Sequence, residues 1–414
     1  MRSSASAAAR PDGAEGPDPR EKGGRRRVLH VNRVGFLGGV ERVLLTLARG
    51  IGRHGYDPVL ACPGGGDLEA AARASGVEVV PFALDRMRIT ANPLVLAGYG
   101  AKLWEGARFV LRAAEEARAD LIHVHHPAGA LYALPAARRL GLPLVLHVHD
   151  GLPARPLYRL ALRPAVRFAD RVICVSGTAR RLVETVPHDP LRVAVVHNGV
   201  DRAFLDAEHE PAPEVAGPGP HVGVFGVIEP RKGQDVFLRA AAILARERPG
   251  ARFWVVGPVA LADKASYRAS LDELVAREGL AGKVVFAGFR PDVGRWMRAM
   301  DVVALTSVAH ESLGMVLVEA MALGRPVVAS AVGGTPEVVT DGVTGRLVPP
   351  GDPAALARAV SALLDGEGAA VGARAALDVR ERFSPDLFCG RVAALYEEAL
   401  AGRARAARPG PGRG

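Results

Sequence analysis

The run HESLGMVLVEA, from His310 to Ala320, sets two glutamates eight positions apart in an otherwise largely apolar segment. Carboxylates are seldom buried without a partner, so Glu311 and Glu319 are the first residues to ask chemistry of. The residues after Glu311 read as a helix closed by Gly324 in the position following the C-cap. Glu311 then precedes the helix N-terminus, and Glu319 lies on its second turn. The backbone amides of Leu313, Gly314, Met315 and Val316 are the unpaired N–H groups of that terminus. The positive end of the helix dipole favours a phosphate there, and Gly314 lets it approach the backbone closely. A carboxylate further along, Glu319, can accept both hydroxyls of a ribose. Phosphate, ribose and a third hydroxylated group in one place describe a nucleotide-sugar. The plainer alternative is that Glu311 caps the helix and Glu319 forms a salt bridge at its edge.

Such a helix needs a sheet to present it. In the first half of the chain, short apolar runs at 28–31, 57–62, 77–82, 121–126, 142–149, 171–176 and 192–197 alternate with helical patterns such as 40–55. After the Pro/Gly-rich stretch 208–220 the pattern restarts, with runs at 221–228, 251–258, 283–289, 301–307, 325–330 and 345–350. Near-continuous apolar strands alternating with helices predict two doubly wound parallel sheets. Ligands of such sheets bind at the carboxyl ends of the strands, here in a cleft between the two domains. The expected division is a disordered tail over 1–24, a Rossmann-like domain over 25–202 and a linker over 203–220. A second Rossmann-like domain follows over 221–383, then a helix over 384–402 returning to the first domain, and a basic disordered tail over 403–414.

The 414 residues exceed one ordinary core, and 49% hydrophobic with 23% charged residues is globular composition. Three widely spaced cysteines (Cys62, Cys174, Cys389) argue against a disulfide framework or zinc knuckle and for a reducing compartment. The N-terminus has no apolar core of a secretory signal, and no run reaches the length of a spanning helix. A cytoplasmic protein is expected, with peripheral contact to the inner face of a membrane left open. The net charge of +9 is uneven: residues 25–200 carry 24 Lys and Arg against 14 Asp and Glu, residues 201–402 carry 21 against 26. A basic first half fits an anionic acceptor or an anionic membrane surface. Nucleic acid is not expected, because no aromatic interleaving or nucleic-acid motif accompanies the charge.

The stretch from Glu311 through GRPVVAS (324–330), GGTPE (333–337) and TGRLVPPGD resembles the C-terminal signature of the family 4 retaining glycosyltransferases, which have the GT-B fold. So do GVIEPRKGQDVFLRAAA (226–242), GGVERVLLTLARGI (38–51) and VVHNGVD (195–201), and the resemblance spans roughly 28–400. It implies that Glu319 binds the ribose diol, that Glu311 contacts hydroxyls of the donor sugar, and that Lys232 neutralises the diphosphate leaving group. His149 matches the histidine facing the donor sugar across the cleft. The loop Gly38-Gly39 approaches the donor phosphates and the acceptor, and base recognition falls near Gly288–Arg290, largely through backbone, with Arg290 counted among the donor-binding residues. The family often has an arginine where this chain has Val227, and Arg231 is the residue placed to compensate. Gly333, Gly334 and Glu337 are expected to shape the cleft edge. The implied reaction is transfer of a hexosyl group from a UDP-, GDP- or ADP-sugar to an acceptor hydroxyl, with retention and without a metal. The same fold also serves epimerases, glycogen-synthase-like polymerases and non-catalytic binders. An NAD(P) oxidoreductase is disfavoured, because no G-x-G-x-x-G opens the first helix.

Two features stand apart. His123, His125, His126, His147 and His149 crowd the ends of two strands, and alternation puts His147 and His149 on one face. No HExxH, DxD pair or cysteine partner accompanies them, so a metal is not expected. Arginines also recur at 155, 159, 163, 167 and 171, a spacing that forms one helix stripe, with Leu157, Leu160, Ala161 and Phe168 expected on the other face. The stripe is either a solvated helix face or a surface for an anionic partner.

Overall fold

The computed structural model describes residues 24–82, 93–150, 156–206, 210–217, 219–259 and 265–407. Among these described residues, thirteen strands form two sheets. The first holds β1 (Arg26–Val31), β2 (Tyr56–Pro63), β3 (Glu78–Phe82), β4 (Leu121–Val124), β5 (Leu144–Val148), β6 (Arg171–Cys174) and β7 (Val193–Val195), in the order β3-β2-β1-β4-β5-β6-β7. The second holds β8 (His221–Phe225), β9 (Arg252–Val256), β10 (Val284–Gly288), β11 (Val302–Leu305), β12 (Val327–Ser330) and β13 (Arg346–Val348), in the order β10-β9-β8-β11-β12-β13. Every ladder in both sheets is parallel. Helices cover both faces, which is why strands such as VVAL of β11 and LVLHV of β5 are buried throughout.

Strand order reverses between β1 and β4 in the first sheet and between β8 and β11 in the second. Loops leaving neighbouring strands on either side of such a switch point diverge and open a crevice. The chain after β1 carries Gly38 and Gly39, and the chain after β5 carries His149. The chain after β8 carries Arg231 and Lys232, and the chain after β11 carries Glu311. The topology therefore sends these segments to the carboxyl ends of the two sheets.

The helix Pro385–Ala407 packs on the first sheet's domain, where Phe388, Cys389, Val392 and Tyr396 share a core with Val28, Leu47, Ile51 and Tyr56. Tyr56 donates to Glu397 at 2.5 Å, and Arg171 pairs with Glu398 at 2.9 Å. This helix runs past Gly402, where a disordered tail was expected, because Arg403 is anchored to Asp170 at 2.8 Å. The expected linker is also partly ordered. Ala203–Asp206 is a helical turn, and Phe204 and Ala212 are buried in the second domain's core. Their apolar side chains bind the segment down despite its Pro/Gly content.

The arginine helix, Pro156–Phe168, differs from expectation on its apolar side. Tyr158, Leu162, Ala165 and Val166 face the core, whereas Leu160 is 72% exposed and Phe168 39% exposed, beside exposed Arg159, Arg163 and Arg167. Apolar and basic residues thus share the outer surface. Arg171 is not on this helix but opens β6, and Arg155 lies outside the described residues.

Candidate active site

Glu311 sits at the end of the loop after β11, with its side chain almost enclosed. One oxygen, Oε2, accepts from Lys232 Nζ at 2.6 Å and from Ser307 Oγ at 2.9 Å. Burial alone would raise this carboxyl, but Lys232, Ser307 and Arg231 together hold it below the usual glutamate value. The ion pair is therefore formed in the free protein. Lys232 ends the turn Pro230–Lys232, and Gly233 follows with φ of +65°. A Cβ there would come within 2.1 Å of the Thr306 carbonyl oxygen, so the turn lies flat against the end of β11. Thr306 Oγ1 also donates to the Lys232 carbonyl at 2.9 Å.

The backbone of the Glu311 loop is moulded by Gly333 and Gly334. Added Cβ atoms would lie 1.9 Å from the Glu311 carbonyl oxygen and 2.2 Å from that of Ser312, and the Gly334 amide donates to Glu311 O at 2.8 Å. The pair gives shape through close backbone approach. Glu337 turns to the other domain instead, accepting from the Gly177 amide at 2.9 Å and lying 3.0 Å from His197 Nε2.

The helix Met315–Ala322 begins at Gly314, whose φ of +91° favours glycine, and Leu323 and Gly324 close it. Its first amides lack helical acceptors, as its length and cap require. Glu319 is half-buried one turn in, and burial raises its carboxyl to about 7. Arg42 of the facing domain opposes that shift, and Asp201 adds to it. Its side chain makes no hydrogen bond or ion pair with another described residue. A carboxylate left so inside a cleft is available to a ligand's hydroxyls.

From the first domain, Gly38 caps the helix Gly39–Gly50, and its amide donates to Glu41 Oε2 at 3.1 Å. Asn32 Nδ2 donates to the other oxygen of Glu41 at 3.2 Å, fixing the glycine loop from below. His149 is buried just after β5, and its ring stacks on His147 with centroids 4.1 Å apart. Burial pushes its imidazole down to about 4, although Asp150 opposes the shift, so the ring is neutral at pH 7. Asp150 is itself held by Tyr158 Oη at 3.0 Å and His126 Nε2 at 3.4 Å.

These elements enclose one cavity of about 510 Å³ between the two domains. Its walls include Glu311, Lys232, Arg231, Glu319, Leu313, Gly314, Met315, Val316, Arg290, Gly38, Gly39 and His149. These twelve residues read from the sequence thus border a single space, whereas Gly333, Gly334 and Glu337, expected at the cleft edge, are not among its lining. Arg231 reaches it while paired with Glu229, and Val227 lines the same wall. Arg290 lies over the face of Trp296 at 4.5 Å. Sequence reading missed Ser307, which holds Glu311, and Arg42, which faces Glu319. It also missed Asn198, which lines the cavity with its buried Oδ1 unpaired among the described residues. Arg42 carried a signal: a cation in the first turn of a helix opposes the dipole unless it serves something else.

Residues 37–204 match the glycosyltransferase family 4 domain, and residues 219–366 match the glycosyl transferases group 1 domain. The D-inositol 3-phosphate glycosyltransferase of Streptomyces scabiei is 38% identical over 312 residues, covering 68% of this chain and 68% of that protein. The enzyme of the same name from Mycobacterium marinum is 35% identical over 315 residues, covering 70% and 66%. Among solved structures, Anabaena Alr3699/HepE in complex with UDP and glucose superposes with a TM-score of 0.77 at 27% identity, covering 89% of this chain and 99% of that one. With its two parallel-sheet domains arranged in the GT-B fold, the chain belongs to the family 4 glycosyltransferases.

Proposed function

We propose that this glycosyltransferase transfers a hexosyl group from a UDP-sugar to a hydroxyl of an anionic acceptor, with retention of anomeric configuration and without a metal ion. The observation that carries this reading is the pair of carboxylates bracketing the helix start, with Glu311 beside Lys232 at 2.6 Å and Glu319 left unpaired by the described residues. Glu319 accepts the ribose hydroxyls, the amides from Leu313 to Val316 and Lys232 receive the diphosphate, and Glu311 meets the sugar hydroxyls. Arg231 and the Gly38-Gly39 loop complete the phosphate surroundings, Arg290 borders the base, and His149 faces the sugar. UDP is the chosen nucleotide because the Anabaena relative is described with UDP and with UDP-glucose. An anionic polyol as acceptor is supported by the relatives named for D-inositol 3-phosphate and by the basic first domain, with Arg42 lining the cleft.

In the reaction the bond from the anomeric carbon to the phosphate oxygen breaks while the acceptor oxygen bonds to the same face of that carbon. The acceptor's proton passes to the departing phosphate oxygen, so UDP leaves and no protein carboxylate is alkylated. Charge developing on the diphosphate is met by fixed donors, which stabilise a transition state without reorganising. Incubation with UDP-, GDP- and ADP-hexoses and inositol phosphate in EDTA tests this directly. Expected is turnover of the UDP-sugar, an unchanged rate on adding Mg²⁺, and an α-linked product from an α-linked donor by NMR. Activity lost in EDTA and restored by metal contradicts the leaving-group chemistry.

A peripheral membrane contact is favoured by one observation, the exposed Leu160 and Phe168 beside Arg159, Arg163 and Arg167. No helix among the described residues is long and apolar enough to cross a membrane. Each basic residue near an anionic surface contributes about 1 kcal/mol and is screened by salt. Replacing the three arginines by glutamine should therefore weaken sedimentation with phosphatidylserine vesicles by on the order of 10²-fold at low salt, leaving UDP affinity unchanged. Wild-type protein that ignores such vesicles leaves the helix a solvated face.

A further inference from the structure

Behind His149 the first sheet carries a row of buried imidazoles that the proposed reaction does not use. His30 on β1, His123 and His125 at the end of β4, and His147 and His149 at the end of β5 are all sealed from solvent or nearly so. Adjacent ring centroids lie between 4.1 and 5.6 Å apart. Two sets of three have nitrogens close enough to suggest a shared metal ion. Neither set needs an ion to explain its short approaches, because the facing nitrogens of His30 and His125, and of His125 and His149, lie within direct N–H···N reach of each other.

Hydrogen bonds order three of the rings instead. His30 Nδ1 lies 3.0 Å from His125 Nε2, and His125 Nδ1 lies 3.4 Å from His149 Nε2. The chain therefore enters each ring at one nitrogen and leaves at the other, from the core to the cleft. Burial pushes the His30 imidazole down to about 3 and His125 well below its usual value, so each ring is neutral and carries one N–H. Only two arrangements keep both bonds. If protons point inward, the last N–H falls on His30 Nε2, which is buried without a partner among the described residues. If they point outward, that atom holds only a lone pair, and the last N–H falls on His149 Nδ1. Among backbone groups a sealed, orphaned N–H is rarer than an under-satisfied acceptor, a ranking that favours the outward arrangement. His149 Nδ1 has no partner among the described residues, and its ring lines the cavity.

We propose that His30 and His125 are positioning residues that fix His149 as the Nδ1–H tautomer, so that it offers a hydrogen-bond donor to an oxygen of the donor sugar. The inference rests on the reading of His149 as a sugar-facing residue. Which nitrogen of a histidine carries the proton is set by the bond its other nitrogen makes, and here that bond is made two rings deep. His147, stacked on His149 with both nitrogens buried and unpaired, fixes the ring plane but not the proton.

The test is nitrogen NMR on the full chain labelled with ¹⁵N-histidine at pH 7, with His149 identified by the signal lost in His149→Gln. A single tautomer protonated at Nδ1 is expected. In His125→Phe, which keeps an aromatic ring but no nitrogen, the His149 signals should average between tautomers. Turnover should fall roughly 10–100-fold, as loss of a histidine-orienting partner does elsewhere, with UDP affinity unchanged. His149 protonated at Nε2 in the wild type overturns the proposal. An unaltered tautomer in folded His125→Phe overturns it equally. A separate comparison of UDP with UDP-glucose checks the underlying reading. If His149 responds no more to the sugar nucleotide than to UDP, His149 does not face the sugar, whatever its tautomer.

Discussion

Lys232→Ala is expected to lower kcat/KM by roughly 10²–10³, the usual cost of removing one donor that stabilises developing charge. The lysine is built into place, since its turn is pressed on the end of β11 through Gly233 and its Nζ is 2.6 Å from Glu311. The same change leaves the Glu311 carboxylate enclosed without its cation. Breaking a buried pair by removing one member costs roughly 3–5 kcal/mol, because the remaining charge is uncompensated. The pH dependence separates this loss from the catalytic one. In the wild type the Glu311 carboxyl is held below 4.5, so it contributes stability above that value and loses it as pH falls through the folded-state value. In the variant, burial dominates and the carboxyl rises, so Glu311 opposes folding increasingly as pH climbs above 4.5. Melting temperatures of Lys232→Ala should thus fall further behind the wild type at pH 7 than at pH 5. Adding Glu311→Gln should restore the melt without restoring turnover. A folded Lys232→Ala with near wild-type kcat/KM removes the lysine from the leaving-group chemistry.

The sequence was most readable where one local rule decided the outcome. Apolar runs such as VVAL and LVLHV marked buried parallel strands, and Gly324 marked the end of the helix beginning at Met315. The E-x7-E spacing put Glu311 and Glu319 at the helix start, where both border the cavity. What stayed hidden depended on contacts between distant segments. Nothing near Glu311 in the chain tells that Lys232, 79 residues away, is its partner. Gly333 and Gly334 are expected from the sequence to give shape, but the carbonyls of Glu311 and Ser312 pressed against them come from a distant segment that the sequence does not reveal. The arginine helix was read with Leu160 and Phe168 inside, because fourfold spacing fixes which residues share a stripe but not which stripe meets the core. Tyr158, Leu162 and Val166 take the inner side. The histidine row gathers residues from three strands, and His30 could join only once β1 was known to lie beside β4.

Glu319→Ala should weaken UDP binding by ~1–3 kcal/mol, the range for lost hydrogen bonds to a charged group, or about 5- to 150-fold. The wild type carries a further signature, because burial raises this carboxyl to about 7. Ribose hydroxyls donate to the ionised form, so UDP affinity should climb as pH rises through 7 and level off above it. Folding shows the opposite sign. Between the ordinary glutamate value and about 7, the folded protein binds more protons than the unfolded chain, so Glu319 costs stability progressively across that window. The most direct measurement of the donor site is therefore isothermal titration calorimetry of UDP from pH 6 to 8 on wild type, Glu319→Ala and Glu319→Gln. Affinity rising with pH in the wild type, and weak, pH-flat binding in both variants, is the expected result. Folded variants that bind UDP as tightly as the wild type, with the same pH profile, contradict the placement of the nucleotide on this helix.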